Sequence, residues 1–304
     1  MRIIVTKISR RQFIGSSAAF GVLSFTNRAA LANPLGLPLG IQLYSVRQQM
    51  AEDLDDALAA VSAAGFTEVE AASLPKKSAR EIRAALDKAG LRCVSAHHPF
   101  ADLHERFDEI VAYDKELGVR FIICASPGYR TPAPSGSPGA ARPYSLDDWQ
   151  YNAEQFNAFG EKMSALDVSV GYHNHTREFA VTDGKIPYME LLRLTDPKKV
   201  TFELDCGWVM VAGANPAEIM KDHPHRISML HVKDFKLPPH PSPENHDEAK
   251  VTELGQGSTD YHPIFAQAAK TQHIQHTFVE QEAFDMPWKQ SLKVDADFMR
   301  NFKM

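Results

Sequence analysis

The feature that most narrows the fold is a rhythm. From residue 38 onward, short β-branched or apolar runs alternate with longer amphipathic ones, as repeated βα units require. The strand-like runs are "LGIQLYS", "TEVEAAS", "LRCVSAHH", "VRFIICAS", "VSVGYHNH", "VTFELD", "RISMLHVKD" and "HTFVEQE". Between them lie helix signals. Leu54, Leu58 and Val61 recur at helical spacing before Gly65 stops the turn. Ser78 and Glu81 stand in capping-box spacing, with Gly90 as terminator, and Gly118 ends a helix predicted over 102–117. Eight such units predict an α/β fold, a (β/α)8 TIM barrel forming one domain over residues 33–304. A doubly wound sheet is the alternative, but the GxGxxG turn after its first strand is missing, and "LGQG" at 254–257 is only a short glycine turn.

Two long loops interrupt the rhythm. The first, "PGYRTPAPSGSPGAARPYS", reads as a lid over a pocket, with an interdomain linker as the rival reading. The rhythm resumes on its far side with a helix from Asp147 to Leu166, which favours the lid. The second runs from 236 to 259.

Residues 1–32 read as an export signal and not as fold. Arg10 and Arg11 precede an apolar stretch from Phe13 to Phe25, too short to span a bilayer, and Ala30-Leu31-Ala32 offers a cleavage site. The S-R-R-x-F pattern resembles the twin-arginine motif, which implies the twin-arginine export machinery as a partner and a periplasmic location; a plain Sec signal or a retained anchor is the alternative. Of 33 basic side chains five lie in this segment, leaving 28 against 38 acidic ones, a formal charge of −10. So acidic a body argues against nucleic acid as a partner and for a small molecule. A homo-oligomer is left open. Cys93, Cys124 and Cys206 form no CxxC pair and sit in or beside apolar runs, so no disulfide framework is expected.

In a barrel of this kind, functional side chains gather where strands end and in the loops just beyond. Those ends carry Glu70, His97 and His98, His173 and His175 with Glu178 beyond, Asp205, His231 with Lys233 and Asp234, and Glu280 with Glu282. Apolar strands that feed into carboxylates and imidazoles need a partner for the charge, and a divalent cation supplies one. A shell of two Glu, one Asp and one His suits one Mn²⁺, Mg²⁺ or Co²⁺ ion more than a thiolate-rich zinc site.

Across "GIQLYSVR", "GFTEVEAA", "YHNHTREF", "FELDCGW", "MLHVKDF", "ELGQGSTDY" and "FVEQE", the chain resembles the sugar phosphate isomerase/epimerase family of xylose-isomerase-like barrels, with its inosose dehydratases, ketose 3-epimerases and hydroxypyruvate isomerases. The resemblance implies one metal site, with Asp205, His231 and Glu280 on ligand positions. Relatives with "LENH" place a glutamate where this chain has His173, so Glu178, the nearest carboxylate, is implied as the remaining ligand. On that basis Glu178→Ala is expected to lose metal, and His173→Ala to retain it and lose turnover.

The implied reaction removes a proton beside the carbonyl of a keto-sugar, inosose or related carbohydrate substrate, with isomerisation, epimerisation or dehydration as its outcome. Glu178 and Glu280 are the first catalytic candidates and His175 a rival base. Glu70, His97, His173, Lys233 and Trp208 make the expected substrate shell, with Tyr44 as a further apolar wall. Lys233 is read either as an oxyanion holder or as half of a surface pair with Asp234. Two other functions are carried alongside: a phosphodiesterase resembling endonuclease IV, with His97 and His98 as extra ligands to three ions, and a sugar-binding barrel without turnover.

Overall fold

The computed structural model describes residues 33–131 and 142–304. The expected signal, 1–32, and part of the expected lid, 132–141, lie outside the described residues. Eight parallel strands close into a barrel: β1 (Gly40–Gln42), β2 (Glu68–Ala71), β3 (Arg92–Pro99), β4 (Phe121–Ser126), β5 (Ser169–His173), β6 (Val200–Asp205), β7 (Ile227–Val232) and β8 (His276–Val279). Closure is made by β1 against β8, Gly40 opposite Phe278 and Ile41 opposite Val279.

The helix boundaries obey the capping chemistry. Asp53 caps Leu54–Ala64, which ends on Gly65 in the left-handed region at φ 106°. Ser78 and Glu81 form the reciprocal capping box of Ala79–Ala89. The helix expected over 102–117 breaks at Arg106, whose φ of −128° splits it into Phe100–Glu105 and Phe107–Leu117.

The linker reading of the first loop is excluded by register, since β4 pairs directly with β5, Phe121 opposite Ser169. The base of this loop is pinned. The Tyr129 hydroxyl donates to the Arg142 carbonyl at 2.7 Å, the Tyr144 hydroxyl to the Pro127 carbonyl at 2.9 Å, and the two rings stack 4.3 Å apart.

At the second loop the strand expected to reach Asp234 stops at Val232, and Asp234–Lys236 pairs antiparallel with Lys250–Thr252. Asp234 ties down the glycine turn beyond this ribbon. Its carboxylate accepts the backbone N–H groups of Phe235, Gly255, Gly257 and Thr259 at 2.9–3.0 Å. A Cβ on Gly257 would collide with that carboxylate, which is the steric reason for a glycine there.

Most of the core lies between strands and helices. A second, small apolar cluster joins Val94, Phe121, Ile123, Met229 and Phe278. Met229 and Phe278 each precede a functional candidate, His231 and Glu280, by two residues on the same strand face. The polar groups therefore stand on an apolar floor. Gly171 holds the corresponding place below His173, where a Cβ would come 2.6 Å from the Ile123 Cδ1.

Candidate metal centre

The end of β5 turns successive residues to different sides. Tyr172 points out of the barrel against Phe156 of the helix Leu146–Met163, ring centroids 5.3 Å apart, so strand alternation turns His173 inward. The Asn174 side chain is bound to the backbone of Asp205 in both directions, accepting its N–H at 3.0 Å and donating to its carbonyl at 3.3 Å. His175 then reaches the barrel mouth.

Glu178 sides with Tyr172, not with His173. One carboxylate oxygen accepts the Tyr172 hydroxyl at 2.5 Å and the other accepts the His175 backbone N–H at 3.1 Å. Burial raises the Glu178 carboxyl above its ordinary value. Both oxygens are thus committed to the outer wall of β5. This corrects the assignment of Glu178 as metal ligand and as half of the proton-moving pair: it caps a loop.

What converges instead are ligand atoms of His173, Asp205, His231 and Glu280, all within 4.8 Å of one another and all buried. Each is placed by its strand end. Asp205 closes β6 and caps the helix Cys206–Val211, its Oδ1 accepting the Trp208 N–H at 2.7 Å. Its Oδ2 is left buried without a hydrogen-bond partner, 3.8 Å from His173 Nε2 and 3.8 Å from His231 Nδ1. His231 Nδ1 also meets Glu280 Oε2 at 3.0 Å. Two imidazoles and two carboxylates converging at this spacing, with one carboxylate oxygen making no hydrogen bond, fit a divalent cation.

Beneath them lies a second tier. Glu203, two residues before Asp205 on the same strand face, is fully buried and takes His173 Nδ1 at 3.0 Å and His97 Nε2 at 2.7 Å. Glu70 accepts the Ser95 hydroxyl at 2.6 Å and faces His231 Nε2 at 2.7 Å. Each inward histidine thus turns one ring nitrogen to the cluster and the other to a buried carboxylate, which fixes its tautomer and orientation. His97, His173, Glu203 and His231 form a second group with ligand spacing, but it shares both central imidazoles with the first. Glu70, expected against substrate, lies under the site with no exposure. Glu203 is absent from the sequence-based candidates, although the inward alternation of "FELD" signals it.

The buried carboxylates decide which imidazoles hold a proton. Burial opposes the His97 imidazolium, but Glu70 and Glu203 outweigh it and raise the group to about 9. Burial likewise opposes the His231 charge and is outweighed by Glu203 and Glu70. Burial, then His231, hold His173 well below the ordinary imidazole value. Asp205 is pushed up to about 6 by burial, with Lys233 and His231 pulling the other way.

Lys233 is fully buried, so the surface pair with Asp234 does not exist. Its Nζ lies 2.7 Å from Glu280 Oε2, 2.6 Å from Glu282 Oε1 and 3.3 Å from Asp205 Oδ2. The Tyr261 hydroxyl clamps the Lys233 backbone, accepting its N–H at 2.9 Å and donating to its carbonyl at 2.7 Å. Trp208 flanks the ammonium, 5.0 Å from ring centre to Nζ. The mouth above is a cavity of about 390 Å³ lined by Tyr44, His97, His173, His175, Glu280 and Glu282 among others. His98 also lines this mouth, but its Nε2 is turned to Asp114 at 2.7 Å and not to the metal cluster.

A closed βα barrel with polar strand ends converging on one buried cluster defines the class. The family model for xylose isomerase-like TIM barrels matches residues 58–302, and the chain belongs to that family. Among its relatives, an inosose dehydratase of Clostridium botulinum (strain Alaska E43 / Type E3) is 24% identical over 251 residues, 75% of this chain and 82% of the relative. A sugar phosphate isomerase/epimerase from Parabacteroides distasonis superposes with a TM-score of 0.68 at 24% identity, covering 86% of this chain and 93% of the other. The IOLI protein, solved with a bound zinc atom, superposes with a TM-score of 0.64 at 13% identity over 88% and 99% of the two chains.

Proposed function

We propose that this chain is a divalent-metal-dependent enzyme that removes a proton from the carbon beside a carbonyl in a keto-sugar, an inosose or a related carbohydrate. The observation that carries this reading is the convergence of ligand atoms of His173, Asp205, His231 and Glu280 within 4.8 Å of one another, all of them buried. A divalent ion held by those four side chains would supply Lewis acidity toward the substrate carbonyl oxygen. With two imidazoles in the set, Zn²⁺, Mn²⁺ or Co²⁺ suits it better than Mg²⁺, which prefers oxygen ligands.

The remaining roles belong to the chain itself. Glu203 and Glu70 hold the inward imidazoles from behind, so the site is rigid before substrate enters. His175, at the mouth with its ring centroid 5.0 Å from that of His173, takes the proton through a ring nitrogen. Lys233 Nζ, enclosed by Glu280, Glu282 and Asp205, holds those carboxylates in place around the site. Proton removal is the step shared by the dehydratase, epimerase and isomerase names among the relatives.

The test is solvent exchange. Metal-reconstituted protein in D₂O is expected to place deuterium at the carbon beside the carbonyl of a keto-sugar or inosose, and the chelated protein is not. Absence of exchange across a panel of both substrate classes, with metal content verified, overturns the proposal.

A further inference from the structure

A second cavity, of about 400 Å³, opens off the mouth. The two share a wall of Ala72, Ser73, His97, His98 and Pro99, so they form one bent cleft. Binding pockets begin at about 300 Å³, so each half is large enough for one small ligand. The metal cluster and His175 serve only the first half.

Three observations say what the lateral half is for. Its hinge holds Ser73 at φ 51°, a left-handed conformation that a non-glycine residue seldom adopts and that is retained chiefly at functional positions. Beside it His98 is oriented by the buried Asp114, 2.7 Å away, and lines both halves. The far wall is formed by Ile110 and Tyr113, an aliphatic and an aromatic surface, with the Tyr113 hydroxyl tied to the Lys77 carbonyl at 3.2 Å.

Charge selects the ligand class. Lys76, Lys77 and Arg106 line this half together with Asp102, Glu109 and Asp114, three charges against three, and Arg106 is already paired with Glu109 at 2.6 Å. Asp114 is likewise paired with His98, and the remaining cations, Lys76 and Lys77, are exposed, so no buried cation lines this half to hold a phosphate or carboxylate. An oriented imidazole and an aromatic wall instead suit a neutral polyhydroxylated ring, with hydrogen bonds at its edge and packing on its face.

We infer that the lateral cavity is a binding subsite for a second neutral ring, and that the substrate is a keto-sugar joined to another sugar or an aglycone. This rests on the proposed function, which it deepens by naming the substrate class. The test is calorimetric binding of a keto-disaccharide and of the corresponding free keto-hexose to the metal-loaded chain. The disaccharide is expected to bind about tenfold more tightly. Asp102→Trp, which fills the lateral half from a partly exposed helix position, is expected to erase that advantage and leave hexose binding within about twofold. Tyr113→Ala, which removes the aromatic wall without adding bulk, is expected to act in the same direction and decides the matter if the tryptophan variant does not fold.

Equal affinities in the wild type, or an advantage that survives substitution of the lateral wall, overturn the inference. Exchange into the free keto-hexose in D₂O is scored separately. Its absence counts against the enolising chemistry, while the disaccharide preference is read from binding alone.

Discussion

At the scale of single residues, the site turns on which side chain at the end of β5 looks inward. Sequence spacing correctly puts His173 and His175 on one side of the chain, but Glu178 lies beyond β5, where period-2 alternation no longer applies. Its direction is set by Tyr172, a contact that spacing alone does not reveal. Glu203 was readable: it shares the inward face of β6 with Asp205, but "ELD" draws attention to its last carboxylate first. The consequence reverses the sequence-based expectation. His173→Ala should lose bound metal, weakening affinity by more than the roughly 10- to 100-fold that removing a ligand's outer hydrogen-bond partner costs. Glu178→Gln should keep metal and lose on the order of 1–3 kcal/mol of stability, because a buried acceptor pair is disturbed. Metal content by plasma mass spectrometry and thermal unfolding of the two variants check this, and metal loss in the Glu178 variant alone would make Glu178 the ligand after all.

At the scale of elements, what was legible is what local chemistry dictates. The capping box at Ser78, the terminating glycines and the eight strand runs are decided within a few residues. The ribbon after β7 was not legible, because Asp234 organises it by accepting N–H groups from residues more than 20 positions away. The helix Cys206–Val211 shows the same dependence on distant partners. Its first turn packs on the stem of Lys233, and a Cβ at Gly207 would collide with Lys233 Cγ and come 2.9 Å from the Phe235 ring. Gly207→Ala should therefore cost about 1–3 kcal/mol by overpacking. It should also push the Lys233 ammonium off Glu280, and so weaken metal binding and slow solvent exchange into substrate. A variant with wild-type melting temperature and exchange rate would show that the helix yields without moving the lysine.

At the scale of the whole molecule, the barrel is locked by its last helix, Trp288–Asn301, and one buried acid in it makes that lock sensitive to pH. Asp295 accepts the Leu254 N–H at 2.8 Å through Oδ1, while its Oδ2 is buried without a partner. Burial, with Glu253 nearby, pushes its carboxyl from 3.8 to about 7. A carboxyl raised in the folded state contributes stability that is fully present below its unfolded value and lost as pH rises through the folded one. The window here runs from about pH 4 to about pH 7, and above it the folded chain carries a buried carboxylate with one unpaired oxygen. Asp295→Asn keeps an acceptor for Leu254 and removes the ionisation. The variant should melt near the wild type at about pH 4 and above it at pH 8, by a difference on the order of a few kcal/mol in unfolding free energy. Because the same helix covers the loop that Asp234 ties down beside Lys233, tighter docking should also slow proteolysis of residues 253–259 at the higher pH, and equal pH profiles for the two proteins would show that Asp295 is not the titrating group.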